Sequence, residues 1–397
     1  MQHTQITKTK EFLKKLISYD VLGGQSNLEI IQYITSILDA HKVDYHFVPN
    51  ENNTKKSLFC RIGPAVDGGL ILSGHTDVVP VEGQEWHSGP FEMIEKDGKL
   101  FGRGSCDMKG FLACCLASID NMKSRVLTKP IYLAFSYDEE IGCLAGPALA
   151  EAIKNTYTER PEFAIIGEPS NMRPVIGHKG ICVLETTVKG SAGHSSRIMQ
   201  EVSAVHVVAK LIIWLETKME KLSTSGNKNE RFSPSHTTLH CGMVKGGIAP
   251  NVIADTCTFY WDIRVIPEDD VFVIIDEFIS YTKELESELK LKYSETEINT
   301  RINHPPVPPL GTSEDSEIVS LIQKITGNNA LSTVSYAAEA GQFANEGFKT
   351  VICGPGDIAQ AHRANEFIEI SQLETCLKML GNLVDTFSET NNGTTKR

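Results

Sequence analysis

The sequence predicts an α/β fold: a mostly parallel sheet flanked by helices, with a smaller α+β unit inserted into it. Up to residue 166, short apolar segments end at polar or glycine-rich turns, and helical patterns separate the later ones, which is what a parallel sheet with helices on its faces requires. From about residue 181 the order becomes strand, helix, strand, strand, helix, strand, a split arrangement in which an antiparallel sheet carries two helices on one face. Beyond the proline-rich run His304-Pro305-Pro306-Val307-Pro308-Pro309 the α/β texture returns.

Residues 11–42 carry helical spacing, first in Phe12, Leu13 and Leu16, then in Leu28, Ile31, Ile34 and Leu38. Gly23-Gly24-Gln25-Ser26-Asn27 separates the two stretches, with Ser26 or Asn27 placed to cap the second helix. Apolar strands are expected at 57–62, 69–73, 131–136 and 162–166, and helices at 110–122 and 145–155. The inserted unit has strands at 182–189, 237–244, 256–265 and 293–300 and helices at 202–221 and 271–291. Residues 256–265 alternate, Phe259, Trp261 and Ile263 against Tyr260, Asp262 and Arg264, so one face of that strand is buried and the other wet. The proline run reads as a linker, followed by a helix at 316–326, a strand at 350–353, a helix at 371–387 and a disordered polar tail from Ser388. The expected domains are therefore 1–180 together with 301–397, and an insert of 181–300.

Fifty acidic against 38 basic residues give a formal charge of −12, which argues against a nucleic-acid binder or a partner of anionic membranes. No apolar run reaches the roughly 18–20 residues a membrane span needs. The first residues lack the apolar stretch and small-residue cleavage site of a signal peptide, so a cytoplasmic location is expected. The ten cysteines are scattered, include the adjacent pair Cys114-Cys115 and form no Cys-x-x-Cys motif; they are expected to be reduced and buried.

Five places carry chemistry. His75, in Gly74-His75-Thr76-Asp77, directly follows an apolar strand, where it can offer a ring nitrogen to a metal while Asp77 accepts the other ring N–H. Asp107 lies in a glycine-rich loop before a helix; a carboxylate there either caps the helix or bridges two cations. Asp138-Glu139-Glu140 ends a strand. Such an acidic run is either solvated charge or a cation site, in which one Glu ligates and its neighbour takes a proton. Glu168 follows the strand at 162–166, and His362 comes some ten residues beyond the strand at 350–353. Each alone is unremarkable; five His/Asp/Glu sites after successive strands of one sheet point to a dinuclear centre of the N/O type that suits zinc.

The segments SGHTDVVP (73–80), GRGSCDMKG (102–110), DEEIG (138–142), GEP around Glu168 and the late Ala361-His362 resemble, in order, spacing and flanking strands, the aminoacylase/carboxypeptidase-type dinuclear zinc metallopeptidases over residues 10–385. The resemblance implies a zinc-peptidase-like catalytic domain with an inserted lid or dimerisation domain, and two zinc ions per subunit, with cobalt able to substitute. It implies that Asp107 bridges the metals, with His75 and Glu168 on one side and Glu140 and His362 on the other. Asp77 would then orient His75, Glu139 would be the general base, and His194 would stabilise the oxyanion, reaching the partner's site in a homodimer formed through the insert. Arg264 and Asn251 resemble positions that hold a substrate carboxylate. WHSGPF (86–91), IGHKG (176–180), AGHSS (192–196), GGIAPNVIAD (246–255), AAEAG (337–341) and GPGDIAQAH (354–362) narrow the resemblance to deacylases of small N-acyl amino acids. Glu339, by its place in AAEAG, is the candidate partner for a substrate ammonium.

Overall fold

Apolar strands that bury both faces assemble into a sheet whose middle is parallel, because each is returned to the same end by a helix. In the computed structural model, which describes residues 2–389, the chain forms two units. The first takes the residues up to Gly177, Leu310–Ser332 and those from Ala338 onward. Its sheet runs in the order Tyr45–Pro49, Lys56–Ile62, Ile131–Ser136, Leu70–His75, Phe163–Pro169, Lys349–Gly354, Val175–His178, Leu310–Gly311. The four strands from Ile131–Ser136 to Lys349–Gly354 are parallel to one another. Those outside them pair antiparallel where Lys56–Ile62 meets Ile131–Ser136 and Val175 meets Ile352. Leu70, Leu72, Leu133, Phe135 and Ile165 join one core with Leu13, Leu16, Ile31 and Ile34 of the first two helices.

Those helices span Gln2–Ile17 and Leu28–Ala40. Asn27 stands at the start of the second but makes no cap bond. It is fully buried, and its amide instead donates to Lys56 O at 2.9 Å and Thr76 Oγ1 at 3.2 Å and accepts from Lys56 N at 2.9 Å. A buried amide must satisfy both ends, and the neighbouring strand offers more partners than the helix does. The helix expected at 110–122 divides into Lys109–Ala117 and Ile119–Ser124 at Ser118, whose hydroxyl donates back to Cys114 O at 2.8 Å. The tail does not begin at Ser388. Ser388 pairs with Leu127 and Glu389 N donates to Val126 O at 3.1 Å; the rest of the expected disordered segment lies outside the described residues.

The second unit takes His178–Pro309 and Thr333–Ala337. Its antiparallel sheet has the order Thr238–Gly246, Thr256–Val265, Gly180–Lys189, Glu297–Ile302, with helices Ala204–Ser225 and Val271–Lys290. Phe259, Trp261 and Ile263 are buried, and the Trp261 ring packs tilted against Phe278 at 4.7 Å between centroids while its Nε1 donates to Thr186 Oγ1 at 3.1 Å. Ser203 and Asp270 cap the two helices by accepting from His206 N and Phe272 N. The unit extends to Pro309 rather than stopping at Thr300. Ile181 and Val307 exchange both backbone hydrogen bonds, at 3.0 and 2.9 Å, so the proline run is tied down and is not a free linker. All ten cysteines are unpaired and nine are buried. Among the described residues no helix is long and apolar enough to cross a membrane.

Candidate metal centre

Parallel strands present their carboxyl ends at one edge, and four of the five expected ligand segments follow such ends. Leu70–His75 ends on His75, level with Ser136 on the next strand, which leads at once into Asp138-Glu139-Glu140. On the other side Ser73 is level with Ile166, two residues before Glu168. Lys349–Gly354 leads to the loop carrying His362. Asp107 arrives separately, on a loop after strand Lys99–Phe101, which pairs antiparallel with Phe367–Glu369 and so lies beside the His362 loop.

Asp107 stands between two imidazoles. Its Oδ1 is 3.1 Å from His75 Nε2 and its Oδ2 is 3.4 Å from His362 Nε2. His75 Nε2 also lies 3.7 Å from Glu168 Oε1 and 4.0 Å from Glu139 Oε2, and His362 Nε2 lies 3.0 Å from Glu140 Oε2. Two groups have all their ligand atoms within 4.8 Å of one another: His75, Asp107 and Glu140, and His75, Glu139 and Glu168. Each oxygen of Asp107 faces one histidine, as a carboxylate shared between two cations requires.

Burial of so many acids together is unfavourable without positive charge. Burial raises the Glu139 and Glu168 carboxyls well above the usual range, and neighbouring carboxylates push the same way. Burial followed by Asp107 lifts Glu140 to about 7. Burial pulls His75 down, but its bond to Asp107 and the charges of Glu139 and Glu168 outweigh this and leave it well above the histidine range. Bonds to Asp107 and Glu140 raise His362 to about 10. Burial opposes ionisation of Asp107, yet the two histidines hold it below the ordinary carboxylate range. Glu140 Oε1 is buried with no hydrogen-bond partner. A crowded set of imidazole nitrogens and carboxylate oxygens with an unpartnered oxygen fits divalent cations.

Residues 71–386 match the model of peptidase family M20/M25/M40. The chain belongs to this family. It is 33% identical over 370 residues to an acetylornithine deacetylase from Proteus mirabilis (strain HI4320), covering 93% of this chain and 92% of the relative. Its fold resembles the M20 metallo-carboxypeptidase Sso-CP2 of Sulfolobus solfataricus, with a TM-score of 0.76 at 18% identity, covering 96% of this chain and 99% of the other. It also resembles the Bacillus subtilis YXEP protein, described as a dinuclear metal-binding peptidase of the M20 family, with a TM-score of 0.62 at 12% identity, covering 97% and 98%.

The other expected site residues of this M20 chain fall in several places. His75 Nδ1 donates to the backbone oxygen of Asp77 at 2.8 Å, while the Asp77 carboxylate is 3.7 Å away. That carboxylate instead accepts the N–H groups of Glu139 and Glu140, both at 3.2 Å, and so holds the turn that carries them. Asp138 faces away from the ligand groups, accepting from Gly24 N at 2.8 Å and pairing with Lys55. Glu339 is 1% exposed and accepts from Ser136 Oγ at 2.9 Å, with burial pushing it to about 7. One carboxylate oxygen thus braces the end of strand Ile131–Ser136, while Oε1 is buried with no hydrogen-bond partner.

His194, Asn251 and Arg264 belong to the second unit. The short pairing of Gly193–His194 with Val252–Ile253 brings His194 beside Asn251, whose carbonyl accepts from Ser195 N at 3.0 Å. His194 is exposed and its Nδ1 meets Ser196 Oγ at 2.9 Å. Arg264 stands on a separate strand, its Nε 3.4 Å from Asp262 Oδ1. Sequence reasoning passes over Gln84, Arg103 and Glu366, which hold the Asp107 and His362 loops. The only signals for them are a charged residue inside the glycine-rich GRGSCD segment and an acid four positions after His362.

Proposed function

We propose that this M20 hydrolase is a zinc-dependent deacetylase that converts N2-acetyl-L-ornithine and water to L-ornithine and acetate, within arginine biosynthesis in the cytoplasm. The observation that carries the hydrolase reading is the placement of Asp107 between His75 and His362 with Glu139, Glu140 and Glu168 around them. The acetylornithine substrate is supported by the likeness of nearly the whole chain to the Proteus mirabilis deacetylase.

One zinc would be held by His75, Asp107 and Glu168 and the other by Asp107, Glu140 and His362, with cobalt able to replace either. Bound there, the cations supply Lewis acidity toward the amide carbonyl and make water acidic enough to lose a proton near neutral pH. Glu139 accepts the proton of the attacking water and delivers it to the departing α-amine as the amide bond breaks. His194 donates to the oxygen that gains negative charge, and a homodimer formed through the second unit would bring this histidine to the partner's site. Arg264, whose planar fork matches two carboxylate oxygens, and Asn251 hold the α-carboxylate.

The fold likeness to a carboxypeptidase favours a second reading, in which the same centre cleaves dipeptides; succinyl-diaminopimelate and other N-acyl amino acids belong with it. Purified enzyme should be assayed side by side on these and on N2-acetyl-L-ornithine, before and after chelation. The expected result is kcat/KM at least about 100-fold higher on acetylornithine, lost on metal removal and restored by zinc. A higher kcat/KM on dipeptides or the succinyl compound would replace the substrate, and activity that survives complete metal removal would end the metal-dependent reading.

A further inference from the structure

Glu366 is 1% exposed, yet all its bonding capacity is used on one loop and its neighbour. Its Oε1 accepts from the backbone N–H groups of Cys106 at 2.8 Å and Asp107 at 3.0 Å. Its Oε2 accepts from Gly104 N at 3.0 Å and from an Arg103 Nη1 at 2.8 Å. The backbone oxygen of Glu366 takes one more, from Gly102 N at 2.9 Å. An ionised carboxylate offers about four acceptor sites. All are filled, so Glu366 is no metal ligand; it is the mould around which the 102–107 loop is wrapped. Gly104, at φ +80°, permits the tight turn this needs.

Arg103 carries the connection onward. It is fully buried, donating also to Arg363 O at 3.2 Å and, through Nη2, to Gln84 Oε1 at 2.6 Å, with its guanidinium 5.1 Å from the centre of the Trp86 ring. Gln84 in turn donates through Nε2 to His362 O at 2.9 Å. The chain of bonds therefore runs from the Asp107 amide through Glu366, Arg103 and Gln84 to the carbonyl of His362. His362 needs such support. Its side chain is 56% exposed, and it sits on a loop at φ +62°, whereas His75 and Glu168 stand on strands whose register the sheet ladder fixes.

We propose that Glu366, Arg103 and Gln84 form a clamp that sets the separation of the Asp107 and His362 loops, so that they act as positioning residues for the cation position shared by Asp107, Glu140 and His362. The inference rests on the dinuclear reading above and deepens it, since it predicts that the two positions depend unequally on the clamp. If the three residues served only stability, their substitution would lower the unfolding temperature and weaken both positions alike.

The test uses the full-length protein, stripped of metal and titrated with Co²⁺ by calorimetry and by the visible absorption of each bound ion. The wild type is expected to take two ions. Glu366→Gln, which keeps the shape but sets an amide N–H against backbone donors, is expected to weaken one ion about 10–100-fold more than the other and to change the spectrum of that ion. Gln84→Ala removes only the links to Arg103 and His362 from a partly exposed position, and keeps the test open if the buried variant does not fold. It is expected to weaken the same ion, with kcat falling and KM little changed. Equal weakening of both ions, or none, in either folded variant would overturn the clamp while leaving the dinuclear reading intact. Fewer than two ions on the wild type would overturn that reading and the clamp with it.

Discussion

Glu139 and Glu140 are adjacent, both half-buried and both suspended from the Asp77 carboxylate, yet they face different partners. Glu140 Oε2 bonds His362 at 3.0 Å, while Glu139 Oε2 reaches only to 4.0 Å from His75 and its Oε1 accepts from Cys143 Sγ at 3.3 Å. The geometry permits Glu139 to ligate with His75 and Glu168, so its role as a base rests on an experiment that separates the two. Glu139→Gln keeps the volume and removes the basic oxygen pair. As a base it should lose about 10²–10⁴ in kcat and still bind two cations per chain. Metal analysis that finds one cation, or turnover within tenfold of wild type, rules the base assignment out. That His75, Asp107, Glu140, Glu168 and His362 come together was legible in the sequence because their chemistry is distinctive at strand ends. Glu366 was not, because an acid that serves backbone N–H groups looks, in sequence, like any solvated Glu.

Elements were legible in proportion to how much burial constrained them. The strands at 131–136 and 256–265 are found with the bounds their apolar run and their alternation predict, as Ile131–Ser136 and Thr256–Val265. The edge strand Tyr45–Pro49, half-exposed to exposed throughout, carries no such pattern and was missed. The turn after Ile131–Ser136 that carries Glu139 and Glu140 has a second hidden support. Asp138, at φ +56° and 3% exposed, joins this turn to Gly24 N and to Lys55, whose ammonium also lies 5.3 Å from the Tyr137 ring. Removing one partner of a buried ion pair leaves the other charge uncompensated. Asp138→Ala should therefore cost about 3 kcal/mol in urea unfolding at pH 7, and Asp138→Asn, which tolerates positive φ and keeps an acceptor for Gly24, should cost less. A loss under about 1 kcal/mol for the alanine variant would show that the pair does not hold the turn.

At the scale of the molecule, the chain passes from the first unit into the second at His178, and that residue ties stability to pH. It is fully buried, with Nδ1 against Lys179 O at 2.9 Å, and burial pulls its pKa from 6.5 to about 4. Above pH 6.5 the imidazole is neutral in folded and unfolded chain alike, so it imposes no penalty. Between 6.5 and 4 the unfolded chain binds a proton that the folded chain refuses, and stability falls as pH falls, by about 3 kcal/mol across the window. Carboxyls whose folded pKa is raised, such as Glu339 at about 7, act in the opposite sense, because the folded chain then binds the extra proton. The difference between wild type and His178→Asn cancels those contributions and isolates the histidine. Urea midpoints taken at half-unit steps from pH 7.5 to 4 should show the variant less stable at neutral pH, where it loses a packed ring, but losing less stability than wild type as acid is added. Parallel decline of the two proteins over that range would mean that the burial of His178 does not govern the acid limb of the stability curve.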